Sequence, residues 1–331
     1  MSELTGEIAA LSAAFLWAAA TLMFGRIGRQ LSPIVLNIAK GLFALLFLVV
    51  TLGMRVLIFS SGESTGSDIL SLPGISMINL LFSGAVGIGL GDTAYFSAIN
   101  SLGARRALLL ETLAPPISAV LAWFFLAETL PAIAVVGISL TLVGVAWVIS
   151  ERVPGTRAAT WNAGIWVALL AVICQATGAV LSRAALADTV VNPLWSTLIR
   201  LLAGLAFMRV LVMVRPQQLG NYQHQLEEGA SNKDRNDWRV RWQQSAIALR
   251  KPKLIVSVAV VAFFATYLGI WLQQVALKYA ATGVAQSLLA TSPLFVLPMA
   301  RLLGDRVSWR SVCGAVVALS GVWLLLSVRP L

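Results

Sequence analysis

The chain has 331 residues, 58% of them hydrophobic and 11% charged, with a formal net charge of +10. A soluble domain carries about 25% charged residues, and a mean hydropathy of +0.85 is too apolar for a surface in water. These values exclude a soluble globular protein and a disordered chain. The apolar runs are continuous rather than alternating, which argues against a membrane β-barrel. What remains is a polytopic helical membrane protein.

The first apolar run covers about 7–25. It follows Glu3 and Glu7 with no Lys or Arg, so it lacks the positive lead of a secretory signal and reads as a retained span. Further runs follow at about 33–54, 76–98, 104–126, 131–150, 161–183, 193–214, 254–277, 281–303 and 309–328. About 20 apolar residues cross a bilayer once, so the pattern predicts ten transmembrane helices. Two connections are long. Residues 55–73 are rich in Gly and Ser, and residues 215–253 are polar and charged. In the second, Trp238, Trp242, Ala246 and Leu249 share one helical face, with Arg239, Arg241 and Arg250 off it. That pattern fits either a helix lying on the membrane surface or a solvated loop.

The chain repeats itself. Pro33 and Lys40 match Pro193 and Arg200; Gly91, Ala98 and Pro115 match Gly269, Ala276 and Pro293; Glu128, Gly137 and Gly144 match Asp305, Gly314 and Gly321. The matches are collinear and divide the chain into residues 1–150 and 151–331, with five runs each. An odd number of spans inserts the second copy upside down, the inverted-repeat plan of many transporters. The predicted fold is therefore all-α and integral to the membrane: ten transmembrane helices as two inverted five-helix repeats.

These residues carry a family resemblance. Pro33 with Lys40, Pro193 with Arg200, the stretch Gly91-Asp92-Thr93-Ala94-Tyr95-Phe96-Ser97-Ala98, then Ala107 to Pro115 and Leu126-Ala127-Glu128-Thr129-Leu130 resemble the drug/metabolite transporter superfamily, EamA type. The second copy, Ala276 through Val307, is looser. The resemblance implies ten helices around a central cavity between the halves. It also implies secondary transport, often export, of small metabolites. Such proteins usually have both termini inside. Here the loops after odd-numbered runs carry most of the Lys and Arg, which places both termini outside instead. The expected location is the cell (inner) membrane, as a multi-pass protein.

Four charges fall inside apolar runs: Lys40, Asp92, Glu111 and Arg200. Each costs about 3 kcal/mol near the centre of a lone helix, so each needs a partner or water. At about 1.5 Å per residue, Asp92 and Glu111 lie about 12 Å deep from one side and Lys40 about 10 Å deep from that side. Arg200 lies about 10 Å in from the opposite side. Two readings stay open. Lys40 pairs with Asp92 or Glu111 and fixes helix packing. Alternatively, Lys40 and Arg200 bind a carboxylate or phosphate while Asp92 or Glu111 carries a coupling proton. Arg200 has no acid in its own half, because Asp92 matches Ile270 and Glu111 matches Leu289.

Trp17, Tyr95, Gln175, Tyr267 and Gln286 are the candidate polar lining, with Gln273 and Gln274; such groups also serve as interhelical hydrogen-bond partners. Pro115 and Pro293 mark bends, either gating or static. Glu128 and Asp305 read as local partners of the next helix N-terminus. The glycine pairs Gly137 with Gly144 and Gly314 with Gly321 read as packing faces. The expected function is alternating-access export of a small polar or amphipathic metabolite, an amino acid or related compound, with proton coupling. The alternatives are a lipid or lipid-linked-headgroup flippase and an integral membrane enzyme. The only histidine, His224, has no spaced partner and no Walker loop is present, so no catalytic residue, metal or cofactor is expected. The expected partners are a small-molecule substrate and the lipid bilayer, with no nucleic acid. The chain is expected to be a monomer or homodimer.

Overall fold

The computed structural model describes residues 2–28, 30–58, 73–126, 132–150, 158–187, 189, 191–214, 238–280, 282–302 and 308–326. Among these, all regular structure is helical. The first half comprises α1 (Ser2–Ile27), α2 (Pro33–Ile58), α3 (Gly74–Ser83), α4 (Asp92–Leu102), α5 (Ala104–Leu110), α6 (Ala114–Leu126) and α7 (Ala132–Ser150). A π-helical segment, Gly84–Gly91, joins α3 to α4, and a 3₁₀ turn, Glu111–Leu113, joins α5 to α6. The second half comprises α8 (Ala158–Leu186), α9 (Pro193–Val214), α10 (Trp238–Leu249), α11 (Pro252–Val261), α12 (Gly269–Tyr279), α13 (Thr282–Leu289), α14 (Ser292–Leu302) and α15 (Trp309–Leu326). A second π-helical segment, Ala262–Leu268, joins α11 to α12.

Helices occupy every predicted apolar run. Seven helical stretches are long and apolar enough to cross a membrane: Leu4–Ile27, Pro33–Arg55, Gly74–Leu102, Arg106–Leu126, Asn162–Leu186, Pro193–Met213 and Pro252–Tyr279. Val135–Gly144 and Val312–Leu324 are shorter apolar helices, and α13 and α14 are separated by a turn at Ala290 and Thr291. Large apolar side chains face outward, including Phe124, Phe125, Trp166 and Leu302. A surface of that kind suits lipid rather than water. This is a multi-pass membrane protein.

Local chemistry sets the helix ends. Pro33, Pro193 and Pro252 begin their helices, where a missing N–H costs nothing and the fixed φ is already helical. Gly103, between α4 and α5, has φ of +85°, a conformation that a side chain disfavours. Pro115 and Pro293 sit in the first turns of α6 and α14, just after the 3₁₀ turn and the Ala290–Thr291 turn. A proline ring there would clash with the carbonyl four residues back in a continuous helix, so the helix restarts. Regular α-helix is thus interrupted just before both prolines, at matching positions of the two halves.

The halves interlock by exchange. α1 packs on α12, α13 and α14 of the second half, while α8 packs on α3, α4 and α6 of the first. α2 packs on the π-helical segment Ala262–Leu268, and α9 on Gly84–Gly91. Each half thus lends its first two helices to the third and fourth stretches of the other. α7 and α15 pack on each other. A Cβ on Gly144 would overlap Ala318 and Gly314, and one on Gly321 would overlap Gly137 and Thr141. The paired glycines are the packing face expected of them.

Of the two readings of residues 238–249, the structure takes the helix, α10. The backbone N–H of Ser32 donates to Ser245 Oγ at 3.3 Å, which ties α10 to the α1–α2 connection. Glu128, Asp305 and His224 lie outside the described residues, as do the side chains of Trp238 and Trp242.

Candidate functional site

The exchange of helices leaves a cavity at the seam. It holds an empty volume of about 920 Å³, its open mouth included. Its wall comes from α1, α2, α4, both π-helical segments, the stretches on either side of both breaks, α8, α9 and α12. All four interior charges line it. The depth arithmetic put Arg200 on the opposite side from the rest, yet residues counted inward from either face converge near the middle.

Two of the four charges use each other. Lys40 Nζ and Asp92 Oδ2 form an ion pair at 2.5 Å, with the side chains 5% and 12% exposed. Lys40 also lies 5.1 Å from the centre of the Phe96 ring, a cation–π contact. Gln175 Nε2 donates to Asp92 Oδ1 at 3.1 Å. Both carboxylate oxygens are therefore satisfied, one from each half of the chain. Dehydrating two charges costs several kcal/mol each, and this pairing offsets it.

Arg200 is treated differently. It is 1% exposed. Its Nη1 reaches Gln273 Oε1 only at 3.4 Å, beyond the usual N–H···O range, and its Nε has no hydrogen-bond partner. Glycines make room for it. A Cβ at Gly84 would overlap the Arg200 backbone; at Gly87 it would lie 3.3 Å from Nη2, and at Gly178 3.6 Å. Asp92 is close enough to interact with Arg200 electrostatically, but among the described residues the one acid–base contact is Lys40–Asp92. Two further buried groups on this wall lack partners: Gln286 Nε2 and Thr266 Oγ1. Unpaired buried polar atoms cost about 1–3 kcal/mol each.

Glu111 opens the 3₁₀ turn. It is half-buried and lines the cavity, and its carboxyl group makes no hydrogen bond among the described residues. It interacts electrostatically with Asp92 and Tyr95. Tyr95 Oη and Thr21 Oγ1 share a hydrogen bond at 3.1 Å. Trp17 Nε1 donates to Ala265 O at 2.9 Å, satisfying a carbonyl of the second π-helical segment. Asn37 does the same for the first, donating to Ile88 O at 2.8 Å.

The cavity thus gathers Trp17, Lys40, Asp92, Tyr95, Glu111, Gln175, Arg200, Gln286 and Pro293 from the sequence-based candidates. Tyr267 lies elsewhere: its Oη bonds Thr51 Oγ1 at 2.8 Å, beside Phe47 and Phe263. Pro115 is buried and does not line the wall. Gln273 is on the wall, while Gln274 accepts a hydrogen bond from Ser196 Oγ at 2.6 Å. Sequence reasoning missed Thr21, Thr266, Ser292 and the glycine notch. The notch had a signal: Gly84, Gly87, Gly89 and Gly91 within one apolar run mark a close helix approach.

The family model described as EamA-like transporter family matches residues 4–150 and 162–327. None of the curated proteins matches the sequence. A solved structure described as "Crystal structure of protein" is 14% identical, covers 97% of this chain and 96% of that chain, and superposes with a TM-score of 0.65. At that identity the likeness concerns the fold alone.

Proposed function

Because the chain belongs to the EamA-like transporter family, we propose that it is a secondary transporter exporting a small polar or amphipathic metabolite, an amino acid or related compound, by alternating access. In this reading the chain crosses the membrane ten times, five in each half, with the second half inverted. The breaks before Pro115 and Pro293 are the bending points of two gates, one on each side of the cavity.

One observation carries the reading. Arg200 is a buried cation on the cavity wall with no acid in contact and an unpartnered Nε. In the first half the matching cation, Lys40, is paired with Asp92; in the second, Ile270 stands where the acid would be. The substrate's anionic group takes that place, with Gln286 and Thr266 as further donors. Apolar wall residues such as Ile88, Leu108 and Leu289 receive the rest of the molecule.

Untargeted mass spectrometry of culture medium tests this. Cells overexpressing the protein are compared with cells carrying Arg200→Ala at equal membrane abundance. A metabolite enriched outside only with the intact protein is the expected result; equal media from both cultures would refute it. Orientation has its own test. The distribution of Lys and Arg predicts an active C-terminal alkaline phosphatase fusion, and an expressed but inactive fusion would reverse the assignment.

A further inference from the structure

A row of polar contacts leads from the cavity to one face of the protein, along the seam between α9 and α12. These helices pack on each other. α9 starts at Pro193 and reaches the cavity at Arg200; α12 leaves the cavity at Gln273 and ends at Tyr279. On the cavity wall, Arg200 Nη1 reaches Gln273 Oε1 at 3.4 Å. One turn nearer the face, Ser196 Oγ donates to Gln274 Oε1 at 2.6 Å. One turn further, Lys278 Nζ donates to Val191 O at 2.6 Å. Four residues separate Ser196 from Arg200 and Gln274 from Lys278, so successive rungs lie about 6 Å apart. The rungs bridge two separately packed groups, because α9 is held by Gly84–Gly91 and α12 by α1.

The middle rung is incomplete. Gln274 is fully buried and lies off the cavity wall, and its Nε2 has no hydrogen-bond partner. Tying two helices together does not call for an unpaired donor, which is destabilising when buried. The first half has no such row. The positions matching Ser196 and Gln274 are Leu36 and Phe96, both buried in an apolar core with Phe24 and Leu31. The two seams thus differ: one is apolar beyond its cation and the other is polar.

We propose, resting on the transport reading above, that Gln274 is a relay site, which takes the substrate's carboxylate from Arg200 and passes it to Lys278 as α9 and α12 part. A carboxylate that leaves Arg200 between two helices gives up its cation before it regains water. That step is costly unless protein donors stand in for the water. The innermost rung is the longest, beyond the usual N–H···O range, so a ligand on Arg200 displaces it first. Gln274 Nε2 then receives the anion without breaking a bond of its own. Ser196 Oγ, once released from Gln274 Oε1, supplies a second donor. Lys278 supplies a positive charge at the face. Passage requires sites strong enough to enter and weak enough to leave, and a neutral amide between two cations meets both conditions.

The test uses the full chain in liposomes loaded with the twenty proteinogenic amino acids, with efflux followed by mass spectrometry. Binding of the amino acid that leaves is measured on the same protein in detergent. Gln274→Met should lower the maximum efflux rate at least about tenfold while the binding constant changes less than about twofold, because the loaded site at Arg200 is intact. Ser196→Ala breaks the same interhelical contact and keeps the amide, so its efflux should stay within about threefold of the intact protein. Unchanged efflux in Gln274→Met overturns the proposal. So does an equal loss in Ser196→Ala, which would assign the effect to the interhelical contact. Loss of binding in Gln274→Met overturns it too, since the amide would then belong to the loaded site or to the fold. An intact protein that moves none of the twenty removes the amino-acid transport reading and the relay together. Efflux by the intact protein with equal efflux by Gln274→Met removes the relay alone.

Discussion

The two halves of this protein each carry a cation at matching positions and differ in whether it has an acid. In the first, Lys40 on α2 meets Asp92 at the start of α4, and Gln175 holds the other oxygen. In the second, Arg200 on α9 lines the cavity, its Nε has no partner, and Ile270 stands at the position that matches Asp92. Duplication alone would give two equal ion pairs. One half instead keeps a closed pair that joins α2, α4 and α8, and the other keeps an open one. A buried charge left without its partner is costly.

Five variants break or sharpen that contrast. Arg200→Ala has the largest expected effect: losing a buried charge-assisted contact to the ligand costs about 2–5 kcal/mol, so export measured in vesicles falls at least about 30-fold while membrane insertion persists. Asp92→Asn should act on stability instead, because it strands Lys40; a loss of about 3–5 kcal/mol is read as a lowered thermal midpoint in detergent. The double variant Lys40→Met with Asp92→Leu should restore most of that loss. Ile270→Asp would give the second half the acid of the first. Export should drop about tenfold or more as Arg200 gains an internal partner. Unchanged export in that variant would show that Arg200 does not await an anion. Tyr267→Phe has the smallest effect, since it removes only the bond to Thr51, worth about 1 kcal/mol, and export should stay within about twofold.

Much of the frame was legible in the chain itself. Continuous apolar runs locate the helices because a backbone in lipid must satisfy its own hydrogen bonds. The α10 helix was one of two open alternatives, because a short amphipathic stretch in a polar loop is helical only if something supports it; Ser32 and the half-buried Leu249 do so here. The π-helical segments were not legible. Gly84–Gly91 and Ala262–Leu268 sit at matching positions, yet their sequences share little beyond small or apolar character. A π-helix is decided by what its displaced carbonyls can find, and Asn37 and Trp17 come from other helices.

The sequence by itself determined the apolar runs, the repeat, the proline breaks and the four charges whose presence in lipid calls for an explanation. Those properties depend on composition and spacing along one chain, where side chains three or four residues apart share a face. Only the tertiary structure decided which charges are closed and which are open. Lys40 could have paired with either acid, and Tyr267 read as well as Tyr95 for the lining. The choice depended on the exchange of helices between halves, which placed Asp92 between Lys40 and Gln175, drew Arg200 into a notch of glycines, and turned Tyr267 toward Thr51. Interactions between residues far apart in the chain are fixed by packing, and no local pattern encodes them.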